Sequence, residues 1–272
     1  MKFNFFENFR KKDAEESKKS LSRLEDETRK ETEHKRTWLK TPVEKILESR
    51  EKNKSESLGG GCNETVLVNF RDDGSGVFKP KSGELANLRT EVKTGTFYKR
   101  ERAAYLIDKF LGFDLVPPTV IRKIDKEIGS VQQFIKKAKT YTELNSKKRK
   151  KIKNEEMMKL WLFDFIIWNS DRSSNNFMIR EDKIYAIDNG LSFGKDSLNI
   201  FESFFPDGQI PETIIKKFKE FFAWDQGEKI LGDLLSELLD KKEVDACLKR
   251  IKLAGKYMNN PVEIPSASFL KF

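Results

Sequence analysis

Histidine is almost missing: His34 is the one histidine in 272 residues, and it stands in a charged stretch with no nucleophile motif beside it. Triad chemistry, which needs an imidazole between a nucleophile and a carboxylate, is therefore not expected. Cysteine is as scarce. Cys62 and Cys247 are too few and too isolated for a disulfide framework or a zinc site; they fit reduced thiols, and a cytoplasmic location is expected. No apolar run approaches a membrane span. The stretch "LWLFDFIIWN" turns polar after about ten positions, which suits a buried core helix. The N terminus, "MKFNFFENFRKK", breaks its aromatic positions with Asn4, Glu7 and Asn8 and so lacks the continuous apolar core of a secretory signal. There is no internal repeat.

Charge and aromatics are abundant. Charged residues make up 36% of the chain and 22 residues are Phe, so the chain has enough large apolar surface to fold beneath a charged exterior. The balance of 53 Lys+Arg against 44 Asp+Glu gives a net charge of +9, which points to an anionic partner such as a nucleotide, a phospholipid or a nucleic acid. A lysine-rich solvated surface accounts for the same number.

Residues 1–40 read as a charged arm, helical or disordered. Phe3, Phe5, Phe6 and Phe9 beside Arg10 to Lys12 offer a docking motif, though a frayed tail is the simpler reading. Order begins at Thr41-Pro42-Val43-Glu44, a capping oxygen, a first-turn proline and a capping-box glutamate in register. After Gly59-Gly60-Gly61, "ETVLVNF" and "VFKP" read as two strands about the turn "RDDGSG". A helix over "FYKRERAAYLIDKFL" stops at Gly112, and "VPPTVIRKI" and "GSVQQFI" supply two more strands. Residues 41–135 thus form a small sheet-rich lobe.

Residues 136–258 read as a mainly helical lobe. A charged connection leads to the nearly all-round apolar helix "MMKLWLFDFIIW", then to a hairpin of "NNFMI" and "IYAI", then to helices near 211–222, 226–240 and 242–258. Residues 259–272, with two prolines and no periodicity, read as a surface tail.

Phosphoryl transfer from ATP requires a cation on the phosphates, a carboxylate facing the acceptor hydroxyl, and oxygen ligands for magnesium. The chain has one candidate for each, in kinase order. Lys79 ends the strand "GVFKP", and the following helix carries Glu101 where a kinase-type fold holds its orienting carboxylate. In "IIWNSDRSSNNFMI", Asn176 follows Asp171 by five positions, the interval of the protein-kinase catalytic loop. Asp188 stands seventeen positions after Asp171, at the end of "IYAI", where the hairpin returns it to Asn176. Singly, each residue has an ordinary structural reading as a turn cap or a solvated side chain. The joint order of Lys79, Glu101, Asp171, Asn176 and Asp188 is what carries the reading.

Together, "GVFKPK", "DFIIWNSDRSSNNFMI" and "IYAIDNGLSFG" resemble the type II phosphatidylinositol 4-kinases and their small prokaryotic relatives. The stretches "GTFYKRERAAYLID", "LVPPTVI" and "GSVQQFI" are similar to the helix, strand and hinge of prokaryotic phosphatidylinositol 3/4-kinase-like proteins, so the resemblance spans roughly residues 59–194. The Asn-Ser-Asp-Arg stretch is more distantly similar to HipA-type kinases, which carry histidine where this chain has Ser173.

The resemblance implies an α+β, two-lobed protein-kinase-like fold that uses ATP and magnesium. It implies that Lys79 binds phosphates, Glu101 pairs with Lys79, Asp171 is the catalytic aspartate, and Asn176 and Asp188 hold the metal. Gly59, Gly60 and Gly61 then lie near the phosphates, although they depart from G-x-G-x-x-G. Gln132, Gln133 and Phe134 become the hinge against adenine, through backbone groups.

The implied acceptor is a hydroxyl on a protein or an inositol lipid, with protein Ser/Thr slightly favoured and an ATP-binding scaffold as the non-catalytic alternative. Asp164, charged inside an apolar helix, is expected to tie that helix to the catalytic loop, and Arg172 to pair with a carboxylate. The basic run from Lys147 to Lys153 suits an anionic membrane surface or a plain solvated loop. Specific nucleic-acid recognition is not expected, because no aromatics alternate with that run. The Phe residues near 201–205 and 218–222 are expected to pack.

Overall fold

The computed structural model describes residues 40–59, 63–71, 74–86, 88–169, 171–194 and 210–259. The expected N-terminal arm, most of the C-terminal tail, Gly60, Gly61 and Phe201 to Phe205 lie outside the described residues.

Helix α1 (Pro42–Ser49) opens as its sequence dictates. Thr41 Oγ1 accepts from Glu44 N at 3.2 Å and Glu44 Oε2 accepts from Thr41 N at 2.9 Å, so two orphan amides of the first turn are satisfied. Glu44 is completely buried and also receives Arg102 Nη1 and Lys109 Nζ, each at 2.7 Å. Burial acts to raise its carboxyl, but these donors prevail and hold it at about 2. A local cap residue is in this way also the electrostatic anchor of the first lobe.

Strands β1 (Lys52–Ser57), β2 (Val66–Phe70), β3 (Ser75–Pro80), β4 (Thr119–Ile124) and β5 (Glu127–Gln133) form an antiparallel sheet in the order β1-β2-β3-β5-β4. Its inner face follows strand periodicity: Val68, Phe70, Phe78, Val120 and Val131 pack with Leu47 of α1. On β3 the buried residues are Gly76, Phe78 and Pro80, which turns Val77 and Lys79 to the opposite face. Gly129 of β5 lets the strands close there, since a side chain at that position would strike the Lys79 carbonyl.

Helix α2 (Phe97–Leu111) ends in the left-handed Gly112, as its sequence predicts. Almost every side of it is buried, including Arg100, Glu101 and Asp108. Asp108 accepts from the amides of Leu115 and Val116, fixing the turn into β4, while burial pushes its carboxyl up to about 7.

The second lobe is built on α4 (Asn154–Ile167), preceded by β6 (Lys139–Thr140) and the one-turn α3 (Ser146–Arg149). Leu160, Leu162, Phe163, Phe165, Ile166 and Ile167 are buried on all sides of α4, which explains its lack of a single apolar stripe. Helix α7 (Lys241–Asn259) packs along it, and α5 (Glu212–Ala223) and α6 (Gly227–Ser236) pack against α7 and α2, in one core that includes Ile214, Phe218, Leu231, Leu235, Cys247 and Ile251. Phe218 and Phe221 pack as expected, and burial raises the Cys247 thiol to about 11, so it serves as an apolar filler. Strands β6, β7 (Phe177–Arg180) and β8 (Lys183–Ala186) form a second antiparallel sheet.

The residues form an α+β, two-lobed, kinase-like fold with a sheet-rich first lobe and a mainly helical second one. Two details depart from the sequence reading. β1 precedes the glycine-rich loop, so the glycines connect β1 to β2 rather than standing ahead of the sheet. "KNKSES" gives no alternation because β1 is an exposed edge, held by backbone pairing to β2. The sixth helix also ends at Ser236, short of the expected 240.

Candidate active site

Lys79 leaves β3 on the face turned toward α2. There its Nζ meets Glu101 Oε1 at 2.5 Å and Asp188 Oδ1 at 3.0 Å. Burial would strip the proton from Lys79, but the two carboxylates outweigh it and raise the ammonium above its ordinary value. The same ammonium holds the Asp188 carboxyl below the usual range. This cluster joins a strand, a helix and the segment after β8, which are separated by 22 and 109 positions in the chain.

Asp188 sits at φ 57°, a left-handed conformation that non-glycine residues avoid. Its neighbour compensates. Asn189 N donates to Glu101 Oε2 at 3.1 Å, and the Asn189 side-chain oxygen accepts from Arg172 Nη2 at 2.6 Å. The next residue, Gly190, lies against Phe97 of α2, where an added Cβ would stand 3.1 Å from the Phe97 Cβ. The "DNG" sequence is thus a docking joint with α2 and not an ordinary turn.

Asp171 and Asn176 face each other across their short loop. Asn176 Nδ2 donates to the Asp171 carbonyl at 2.6 Å and to Asp171 Oδ2 at 3.3 Å, which leaves the Asn176 amide oxygen directed elsewhere. Asp171 N donates to Asn169 Oδ1 at 2.9 Å, fixing the start of the loop. Burial first, and then the charge of Asp188, raise the Asp171 carboxyl above the ordinary range. The two aspartates therefore share one electrostatic site.

Arg172 supports this loop from behind. It grips Asp164 with Nε at 3.0 and 3.1 Å and Nη2 at 2.9 Å, and donates to the carbonyls of Ile187 at 2.6 Å and Asn176. Burial raises the Asp164 carboxyl and Arg172 opposes it. One guanidinium thus ties α4, the Asp171 loop and the Asp188 segment together. The expected structural parts for Asp164 and Arg172 agree with this geometry.

Sequence reasoning missed three supports. Asn169 and Asn189 adjoin quoted motif residues, and adjacency was their only signal. Arg100, next to Glu101, is buried and donates to the Ser192 carbonyl at 2.7 Å and to Glu243 Oε1 at 2.6 Å. Glu243 lies 143 positions away, beyond any local pattern.

The hinge residues are placed differently from the expectation. Gln133 N donates to the Pro118 carbonyl at 2.8 Å and Phe134 N to the Ser75 carbonyl at 3.0 Å. Both amides are consumed by the first lobe, so neither is a donor to adenine. Their side chains line a groove with Leu47, Phe70 and Tyr185. Gly59 is left-handed at φ 59° after β1, while Gly60 and Gly61 fall outside the described residues.

The donor set suits magnesium. Asp188 and Asn176 offer carboxylate and amide oxygens beside Asp171, the hard ligands that this cation takes along with phosphate oxygens and water.

The family model for phosphatidylinositol 3- and 4-kinase matches residues 88–215. A search of curated proteins gave no significant match. Among solved structures, the crystal structure of the Golgi casein kinase with Mn/ADP bound is similar at 17% identity and TM-score 0.52, covering 84% of this chain and 76% of that one. The Helicobacter pylori proinflammatory kinase CtkA aligns at 11% identity and TM-score 0.48, over 79% of this chain and 98% of that one. A hydra Fam20 structure with sugar aligns at 17% identity and TM-score 0.46, over 81% and 90%. The first of these carries the fold assignment. The family match takes in Glu101, Asp171, Asn176 and Asp188, the residues the fold draws to one cleft, and the chain is a kinase whose residues 88–215 are similar to the phosphatidylinositol 3- and 4-kinases.

Proposed function

We propose that this kinase takes ATP with magnesium between its lobes and transfers the γ-phosphate to a hydroxyl, with protein Ser/Thr favoured over a phosphoinositide. The observation that carries the reading is Lys79 bridging Glu101 and Asp188 while Asp171 and Asn176 pair beside them. Lys79 stays charged and is held in place to receive phosphate oxygens. Asp171, raised toward neutrality by burial and by Asp188, is the group that accepts the hydroxyl proton. Asp188 and Asn176 would hold the magnesium, which supplies neutralisation of phosphate charge. Ile135 N–H, which makes no backbone bond among the described residues, replaces the spent amides of Gln133 and Phe134 as the donor to adenine.

A fold shared with a casein kinase accommodates a protein acceptor, and the family match keeps the lipid acceptor in play. Incubating the full chain with γ-labelled ATP and magnesium, with casein in one arm and mixed phosphoinositides in the other, distinguishes the two. Label on protein is the expected result. Label on lipid alone would overturn the protein acceptor and keep the kinase.

A further inference from the structure

Behind the hinge, the turn of the β7–β8 hairpin rises beneath the first lobe and separates two concavities that meet at Arg180. The first, about 520 Å³, has an apolar floor that includes Val43, Ile46, Phe70, Val116 and Tyr185. The second, about 410 Å³, has Leu144, Ile152 and Ile179 as its floor and Lys137, Lys139, Lys148 and Lys151 along its edges. Arg180 lines both. Neither is lined by Lys79, Glu101, Asp171, Asn176 or Asp188, although the first borders the hinge at Gln133 to Ile135; Arg180 ends β7 and Asn176 immediately precedes it, ~13 Å apart at strand spacing.

The charge of this face is one-sided. Between Lys136 and Lys153 there are nine Lys and Arg and one acid, Glu143, a net of +8 beside +9 for the entire chain. Glu181 and Asp182 offset part of this at the hairpin turn, and Lys183 is paired with Asp114. Lys137, Lys139, Lys148 and Lys151 make no ion pair or side-chain hydrogen bond among the described residues. Arg180 is more telling. Its guanidinium lies 5.7 Å from the Tyr185 ring, its Nε is buried without a hydrogen-bond partner, and no carboxylate pairs with it among the described residues. A buried donor left without a partner is costly, so the guanidinium is a cation that the fold itself does not satisfy.

We propose that this trough docks an acidic, extended segment of a protein partner that carries spaced aliphatic side chains. In an extended segment successive side chains point to opposite sides, so aliphatic groups reach the floor while carboxylates meet Arg180 and the lysine edge. A protein segment is the occupant rather than a bilayer because the apolar residues line concavities instead of presenting an outward apolar face to an interface. Docking there would raise the local concentration of the partner at a cleft one hairpin away.

The test is fluorescence anisotropy of the full chain with a labelled peptide of about twelve residues, rich in Glu with spaced Leu. A Lys-for-Glu version serves as control, and phosphatidylserine vesicles form a parallel sedimentation arm. The acidic peptide should bind, more weakly as salt rises, and the control should not. Arg180→Gln should weaken binding ~10-fold and Lys148→Glu ~3-fold, the latter at an exposed position where folding is not at issue. Equal binding by wild type, Arg180→Gln and Lys148→Glu would overturn the proposal. So would failure of the acidic peptide to bind, whether or not vesicles sediment the protein in a Lys148-dependent way. Anisotropy reads no turnover, so either result leaves the kinase reading where it stands.

Discussion

Two parts of the first lobe, helix α2 and the edge strand β1, are built by opposite means. Helix α2 buries three charged residues and attaches each to a different partner: Arg100 to Glu243 and the Ser192 carbonyl, Glu101 to Lys79 and the Asn189 amide, Asp108 to the amides before β4. Two of these residues reach the second lobe, so Glu101, the partner of Lys79, is located by both halves of the fold. Strand β1 has five exposed residues and a partly buried one, and is held to β2 by main-chain pairing. The contrast teaches where geometry must be exact for chemistry and where it need only cover.

The largest effect should come from the charges gathered in the cleft beside α2. Asp171→Asn and Asp188→Asn should each lower phosphoryl transfer by ~10²–10⁴-fold with the melting temperature little changed, measured by initial rates with γ-labelled ATP. Arg100→Ala leaves Glu243 buried without its cation and should cost ~3–5 kcal/mol, read as a lowered midpoint in urea. If Arg100→Ala proved neutral, α2 would not be pinned as described.

A third prediction concerns pH. The folded-state carboxyl of Glu44 is lowered from 4.5 to about 2, so its contribution is complete above about 4.5 and is lost as pH falls toward 2. Glu44→Gln should remove that acid limb from a plot of stability against pH, besides lowering stability at neutrality. The smallest effect belongs to β1: Lys54→Ala or Glu56→Ala, both at exposed positions, should shift stability by no more than ~0.5 kcal/mol.

The same contrast explains what the sequence made legible. Asp171, Asn176 and Asp188 could be read because they sit on one loop and one hairpin, where spacing along the chain nearly equals placement in space. The α1 cap was legible for the same reason, since Thr41 and Glu44 act within one turn. β1 was not, because side-chain alternation records burial and an exposed edge has none. Nor was the hinge: which way the amides of Gln133 and Phe134 point depends on Pro118, just before β4, and Ser75 at the start of β3, both remote in sequence. Arg100 was hidden by the 143 positions between it and Glu243. Glycines can be recognised as a loop from sequence, but their place between β1 and β2 required β1 to be seen.

The central claim is that Lys79, Glu101 and Asp188 form a site for ATP with magnesium. Isothermal titration of ATP into the full chain, with and without magnesium, tests it most directly, using wild type, Lys79→Met and Asp188→Asn. The account predicts magnesium-enhanced binding by wild type, weakened ~10-fold or more in Lys79→Met and stripped of its magnesium dependence in Asp188→Asn. Binding that ignored magnesium, or that both variants retained unchanged, would contradict it.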